Sequence, residues 1–189
     1  VFSLDEMVGA FDIVNVNPNP ARFDQKKADA INASHIRLLD PTDFLNRLIP
    51  YLQSAGILAS TVSDAEQAVL AEAAPLIQER ITVLGEAPDM LGFLFKTADE
   101  IVIEDDARAG LPENAAEIAT AAAEKLAAVS DADFKTEHIQ ELLNALLIEE
   151  MQLKPRVAFG PLRTAISGRR ISPPLFESMQ LLGKAETLA

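Results

Sequence analysis

The residues of this 189-residue chain with the clearest chemical potential are arginines beside a stiff turn. Residues 154–182 read KPRVAFGPLRTAISGRRISPPLFESMQLL. On a helical wheel Arg156 and Arg163 share a flank, next to an apolar face made by Phe159, Leu162 and Ile166. Gly160 lies near that flank, so nothing blocks a partner's backbone from approaching between the two guanidiniums. Pro161 predicts a kink or a fresh helix start, because a mid-helix proline removes a hydrogen bond and clashes with the preceding turn. After Gly168 come Arg169, Arg170, Ile171, Ser172, Pro173, Pro174 and Leu175, a turn with rigid prolines and a hydroxyl. Unstacked bases of an RNA loop are read on their edges by such arginine, hydroxyl and backbone groups. The same residues also make an ordinary helix–turn–helix corner.

Arg80 is the other candidate. If the helix opening near Asp64 continues to Leu84, Arg80 falls on the stripe of Val69, Ala73, Leu76 and Leu84, where it must be paired, snorkelling or aimed into a pocket. If that helix stops near Arg80, the side chain is a cation at the helix C-terminus, where the dipole favours it.

Charge separates the two ends of the chain. The net charge is −13, which by itself opposes phosphate binding. Yet residues 1–150 carry 10 basic and 27 acidic side chains, whereas residues 151–189 carry 6 basic and 2 acidic. No acid lies between Met151 and Phe176, while Lys154, Arg156, Arg163, Arg169 and Arg170 all do. With a Debye length of about 8 Å in physiological salt, distant acids do not neutralise such a patch. Arginines pairing with acids elsewhere on the fold are the other reading.

Catalytic constellations are absent. There is no glycine-rich phosphate loop, no nucleophile elbow and no histidine with an acid partner nearby in sequence. The lack of cysteine excludes disulfides and thiolate chemistry, and it fits a reducing cytosol. His35 and His138 read as ordinary helix residues, and pairs such as Asp105-Asp106 and Glu149-Glu150 as solvated faces. No metal site is expected. No apolar run approaches the length of a membrane span, so the expected location is cytoplasmic.

The elements that position these residues are helical. Hydrophobic content of 49% supplies a core, and only 5% aromatic residues with abundant Ala, Leu and Glu disfavour a rich sheet. Ser3 with Glu6 forms a capping box at the first helix, where Phe2 is placed to staple onto Met7. Asp24 caps a helix to about Arg37. Asp40 before Pro41 starts another that Gly56 ends, and Ser63 with Glu66 opens one whose last possible stop is Gly85. A short apolar helix follows Pro88, and the stretch from Asp99 is acidic loop or broken helix. Residues 113–129 form an alanine-rich helix. From Thr136 the leucine stripe of Ile139, Leu142, Leu143, Leu146 and Leu147 has a helical period. Pro155 opens the basic helix, and a last helix runs from Pro174 to Gly183. The expectation is an all-α fold of about nine helices in two packed subdomains, residues 1–106 and 107–189.

Two stretches resemble the bacterial glutamyl-tRNA synthetase family. One begins Asn17-Pro18-Asn19-Pro20-Ala21-Arg22-Phe23-Asp24 and includes Ile31-Asn32; the other is the basic region of residues 154–183. The resemblance covers the whole chain in order, weakly in the middle. It implies the C-terminal anticodon-binding region of a glutamate–tRNA ligase, which recognises the anticodon loop of glutamate tRNA and discriminates against glutamine tRNA. It further implies that Arg80 reads the third anticodon base, that Arg163 contacts the anticodon, and that Ser172, Pro173 and Leu175 cradle anticodon bases. Ser172 stands where some members have threonine, with the hydroxyl kept.

The family's His-x-Gly-His and Lys-Met-Ser-Lys-Ser signatures do not occur here. The expectation is therefore a fragment, opening at Val1 on a finished helix signal, that is not itself an enzyme and holds no cofactor. ATP and Mg, with any zinc, would belong to the catalytic domain of the parent aminoacyl-tRNA synthetase. Its expected partners are glutamate tRNA and that absent N-terminal catalytic domain, with no membrane and a monomeric state. An acidic helical module for a basic protein partner is the alternative.

Overall fold

The computed structural model describes residues 2–17 and 22–189; Val1 and residues 18–21, the centre of the first family-like stretch, lie outside the described residues. Among the described residues the chain is all-helical, with ten α-helices and no strand. In order they are α1 Leu4–Ala10, α2 Gln25–Arg37, α3 Pro41–Ser54, α4 Asp64–Gln78, α5 Ala87–Leu91, α6 Asp105–Ala109, α7 Ala115–Ala127, α8 Thr136–Leu143, α9 Pro155–Ser167 and α10 Leu175–Leu188. The short α6 lies in the stretch read as acidic loop or broken helix. None of these helices is long and apolar enough to cross a membrane.

Local chemistry explains most of the starts. The Asp24 carboxylate accepts from the Lys27 N–H at 3.1 Å, and that of Asp40 accepts from the Thr42 N–H at 2.9 Å. At α4 the capping box closes both ways: Ser63 Oγ accepts from the Glu66 N–H at 3.3 Å, and Glu66 accepts from the Ser63 N–H at 2.7 Å. Each cap satisfies helix donors that would otherwise lack partners, and is worth about 1 kcal/mol. At α1 the same box forms, but Phe2 and Met7 both stay exposed, so no staple covers them.

Burial then gathers the helices around two hydrophobic clusters. The first lies under α2 to α5, where Phe44, Leu48 and Leu52 recur along one face of α3 and are fully buried against Leu70 and Ile77 of α4. The second joins α7 to α10 through Ile118, Leu126, Ile139, Leu143, Leu147 and Leu162. Burying such a side chain contributes about 1.5–3 kcal/mol, so these stripes dominate the packing. Beyond Leu143 the α8 helix widens into a π-helical segment, Asn144–Glu150, which keeps Leu147 inside.

Three boundary expectations are decided by the structure: the open end of α4 takes its earlier alternative, a fresh start at Pro161 is corrected, and the stop at Gly183 holds. Helix α4 ends at Gln78, well before Gly85, because the chain turns there to bury Ile81 in the first cluster. Arg80 therefore lies beyond the helix, exposed and off the apolar stripe. Pro161 starts no new helix: α9 runs from Pro155 through it to Ser167, and the buried ring is held by the packing of that face. Gly183 stops the helix that opens at Leu175, as expected, and a short second helical stretch follows the kink. The glycine's left-handed backbone (φ 76°) turns the chain, and helix resumes to Leu188. Lys184 secures that bend by donating to the carbonyls of Ala127 and Val129, at 2.8 and 2.6 Å, at the end of α7.

Candidate nucleic-acid interface

Helix α9 presents Arg156, Gly160 and Arg163 along one flank. Arg156 is exposed, and a methyl group at Gly160 would meet only open space. The flank forms one wall of a groove of about 740 Å³, and Arg170 reaches the same groove from beyond the turn. Asp106, Gly110 and Pro112 line it too. These belong to the middle region for which residue types alone indicated no role beyond a solvated acidic face; Gly110 and Pro112 contribute small surfaces, and Asp106 brings an exposed carboxylate to the groove.

The turn between α9 and α10 is braced from inside. Gly168 adopts φ 72°, and a Cβ there would also collide with the Val102 carbonyl, so glycine is required twice over. Arg163 Nη1 donates to the Ser172 hydroxyl and, at 2.7 Å, to the Pro173 carbonyl. Ser172 is only 4% exposed, and its hydroxyl donates to the Pro173 carbonyl at 2.9 Å. Pro173 is buried, while Leu175 points into the second cluster. The turn's outward face consists instead of Arg170, Ile171 and partly Pro174, and Ile171 is 72% exposed.

Electrostatics tie Arg80 to this turn. Burial lowers the Arg163 guanidinium from its ordinary value, the positive charge of Arg80 lowers it further, and Glu177 at the start of α10 opposes both. A guanidinium still remains charged at any ordinary pH. Neither Arg80 nor Arg163 forms an ion pair among the described residues. Arg163 thus feels the like charge of Arg80 more strongly than the opposing charge of Glu177, a balance that favours an anionic or acceptor-rich ligand.

The Arg80 loop is fixed by α2. Gln78 Nε2 donates to the carbonyls of Ile36 and Leu39 at 2.9 and 3.0 Å, and Asn32 Nδ2 donates to the Thr82 carbonyl. Arg37 pairs with Glu79 at 3.1 Å. Glu86 completes the loop by accepting from the N–H groups of Thr82 and Val83, both at 3.0 Å. Asn32 is thus a positioning residue that composition and spacing did not single out. Only its place in the family-like stretch marked it.

Arg169 sits elsewhere. Its two terminal nitrogens meet Asp89 at 2.7 Å and Glu104 at 3.2 Å, away from the groove that Arg156, Arg163 and Arg170 share.

Comparisons with known proteins give the family. Residues 43–189 match the anticodon binding domain family. Over its full length the chain is 60% identical to a glutamate–tRNA ligase of Leifsonia xyli subsp. xyli and 57% identical to one of Arthrobacter sp. (strain FB24). It spans only 38% and 37% of those proteins. Among solved structures, it resembles a glutamate tRNA ligase from Elizabethkingia meningosepticum with a TM-score of 0.73 and 27% identity, over 99% of this chain and 35% of that one. The corresponding enzyme from Elizabethkingia anophelis gives 0.70 at 25% identity, over 99% of this chain and 34% of that one.

Proposed function

This chain belongs to the anticodon binding domain family, and on that premise we propose that it is the region of a glutamate–tRNA ligase that holds the anticodon loop of glutamate tRNA. The observation that carries the reading is the groove walled by Arg156 and Arg163 of α9 and reached by Arg170, in a chain with net charge −13; the charge of Arg80 also acts on Arg163, and neither of those two forms an ion pair among the described residues. Arg156 and Arg170 extend the cationic surface along the groove for the RNA backbone. The Ser172–Pro173 turn presents a shape already stiff before RNA arrives, so little ordering cost remains at binding.

Specificity follows from what a guanidinium offers. It has donors only, so Arg80 favours a third anticodon base whose edge presents acceptors and opposes one that presents N–H groups. One such contact discriminates by about 1–3 kcal/mol, by analogy with duplex readout, which is the basis for rejecting glutamine tRNA. Leu175, with its side chain in the core, would serve this function by shaping the turn.

The ligase reaction, with its ATP and Mg, belongs in this proposal to the catalytic part of a longer protein. Residues 2–16 carry an exposed apolar series, among them Phe2, Leu4, Val8, Phe11 and Ile13, that fits contact with that part. The division into lobes at residues 1–106 and 107–189 belongs to the same proposal.

The test is a titration of the chain with anticodon stem-loops that differ only in the third anticodon base. Preference for the glutamate loop, with affinity falling steeply as salt rises, is expected. Equal binding of both loops refutes base reading. Selective capture of a basic protein without stem-loop binding would favour the acidic interaction module.

A further inference from the structure

We propose that Arg169 contacts no base and instead sets the spacing between the Arg80 loop and the Arg163 turn, as an ionic clasp across the cleft between the two hydrophobic clusters. This rests on the anticodon reading above. Asp89 belongs to α5, whose Ala87 and Leu91 are buried in the first cluster, the one that also anchors Ile81 beside Arg80. Arg169 follows the cap of α9, whose Leu162 and Ile166 belong to the second. The guanidinium bridges them, Nη1 to Asp89 at 2.7 Å and Nη2 to Glu104 at 3.2 Å. Glu104 is fixed to the same turn through its backbone, since its N–H donates to the Gly168 carbonyl at 2.9 Å.

The cleft that Arg169 crosses is open, about 560 Å³, and lined also by Gly56, Gly92 and Ser167. Elsewhere apolar side chains join the clusters: Leu94 packs against both, and Leu181 of α10 packs against the first. Apolar contact is non-directional and allows one body to slide on another. A planar guanidinium holding two carboxylates has a fixed geometry and resists that sliding. With the Arg169 side chain 30% exposed and both terminal nitrogens engaged, little of its fork is left for RNA. A slide of this clasp would change the distance between Arg80 and Arg163, and with it the fit of a base that must satisfy both.

The chain contains no cysteine, so single cysteines introduced at exposed Ser60 and Glu124 carry a spin-label pair that reports the distance between the clusters. Arg169→Gln is compared with the double change Asp89→Asn and Glu104→Gln, using glutamate and glutamine anticodon stem-loops as probes. Both variants should broaden the distance distribution and lower the preference for the glutamate loop about fivefold, with the salt dependence of binding unchanged. Arg169→Lys, which keeps the charge and one ion pair, should retain most of the preference. Unchanged distances in both variants overturn the clasp whatever the RNA does. If Arg169→Gln weakens both loops equally with a shallower salt dependence, while the carboxylate changes strengthen both, Arg169 is a phosphate contact and the proposal fails. Equal binding of both loops by the unsubstituted chain removes the anticodon reading and the clasp's part in it, and the distances alone then decide whether the clasp exists.

Discussion

Arg163 braces the turn that contains Ser172: one guanidinium nitrogen donates to the Ser172 hydroxyl and to the Pro173 carbonyl, joining α9 to the segment that leads into α10. The side chain expected to touch RNA is therefore also structural in the free protein. Arg163→Ala should lower unfolding stability by about 1.5–3 kcal/mol, the range for losing a hydrogen bond from a charged group. It should also weaken stem-loop binding. Arg163→Lys keeps the charge but not the fork, so it should recover part of the binding and little of the stability. Thermal melts alongside titrations separate the two effects, and unchanged stability in the alanine variant would rule out the brace.

Ser172 tests the same bond from the other side. It is 4% exposed, so Ser172→Ala should cost about 1–2 kcal/mol, whereas Ser172→Thr keeps the hydroxyl and should stay within about 1 kcal/mol of the unsubstituted chain. Denaturant midpoints decide the order; equal loss in both variants would mean that the hydroxyl contributes nothing.

Arg80→Gln should act on specificity alone. The side chain is exposed and beyond the end of α4, so stability should change by no more than about 0.5 kcal/mol. The affinity ratio between glutamate and glutamine stem-loops should fall toward one. An unchanged ratio would remove Arg80 from base reading.

Two glycines should respond in opposite senses. Gly160→Ala places a methyl in open space within a helix, which should raise stability by about 0.5–1 kcal/mol while hindering a partner in the groove. Gly168→Ala combines a left-handed backbone with a collision against Val102 and should destabilise by more than about 1 kcal/mol. Melting temperatures moving in the same direction would contradict the assignment of these two environments.

Acid should loosen the Arg80 loop through Glu86. Burial tends to raise this carboxyl, but hydrogen bonds from Thr82 and Val83 outweigh it, and the group is held below its ordinary value. Its stabilising contribution is therefore complete above the ordinary carboxylate range and is lost as pH falls through the lowered value. Amide exchange at Thr82 and Val83, corrected for intrinsic rates, should lose protection in that acid window. Glu86→Gln should show the lost protection already at neutral pH, and equal protection in the two proteins would exclude this role.

What the sequence determined by itself is local. The starts of α2, α3 and α4 follow from Asp24, Asp40 and Ser63, whose side chains reach N–H groups two or three positions ahead. The shared flank of Arg156, Gly160 and Arg163 follows from helical period alone, and Gly168 as the end of α9 from its tolerance of positive φ. Tertiary structure decided everything that depends on distant partners. It ended α4 at Gln78 so that Ile81 could be buried, kept α9 whole through Pro161, and turned Leu175 into the core. It also placed Arg80 where its charge acts on Arg163 and gave Arg169 two carboxylates, one of them on α5. Neither choice could be read from spacing, because an arginine has the same propensity whether it faces solvent, RNA or an acid; only the packing of the two clusters determines which of these it meets.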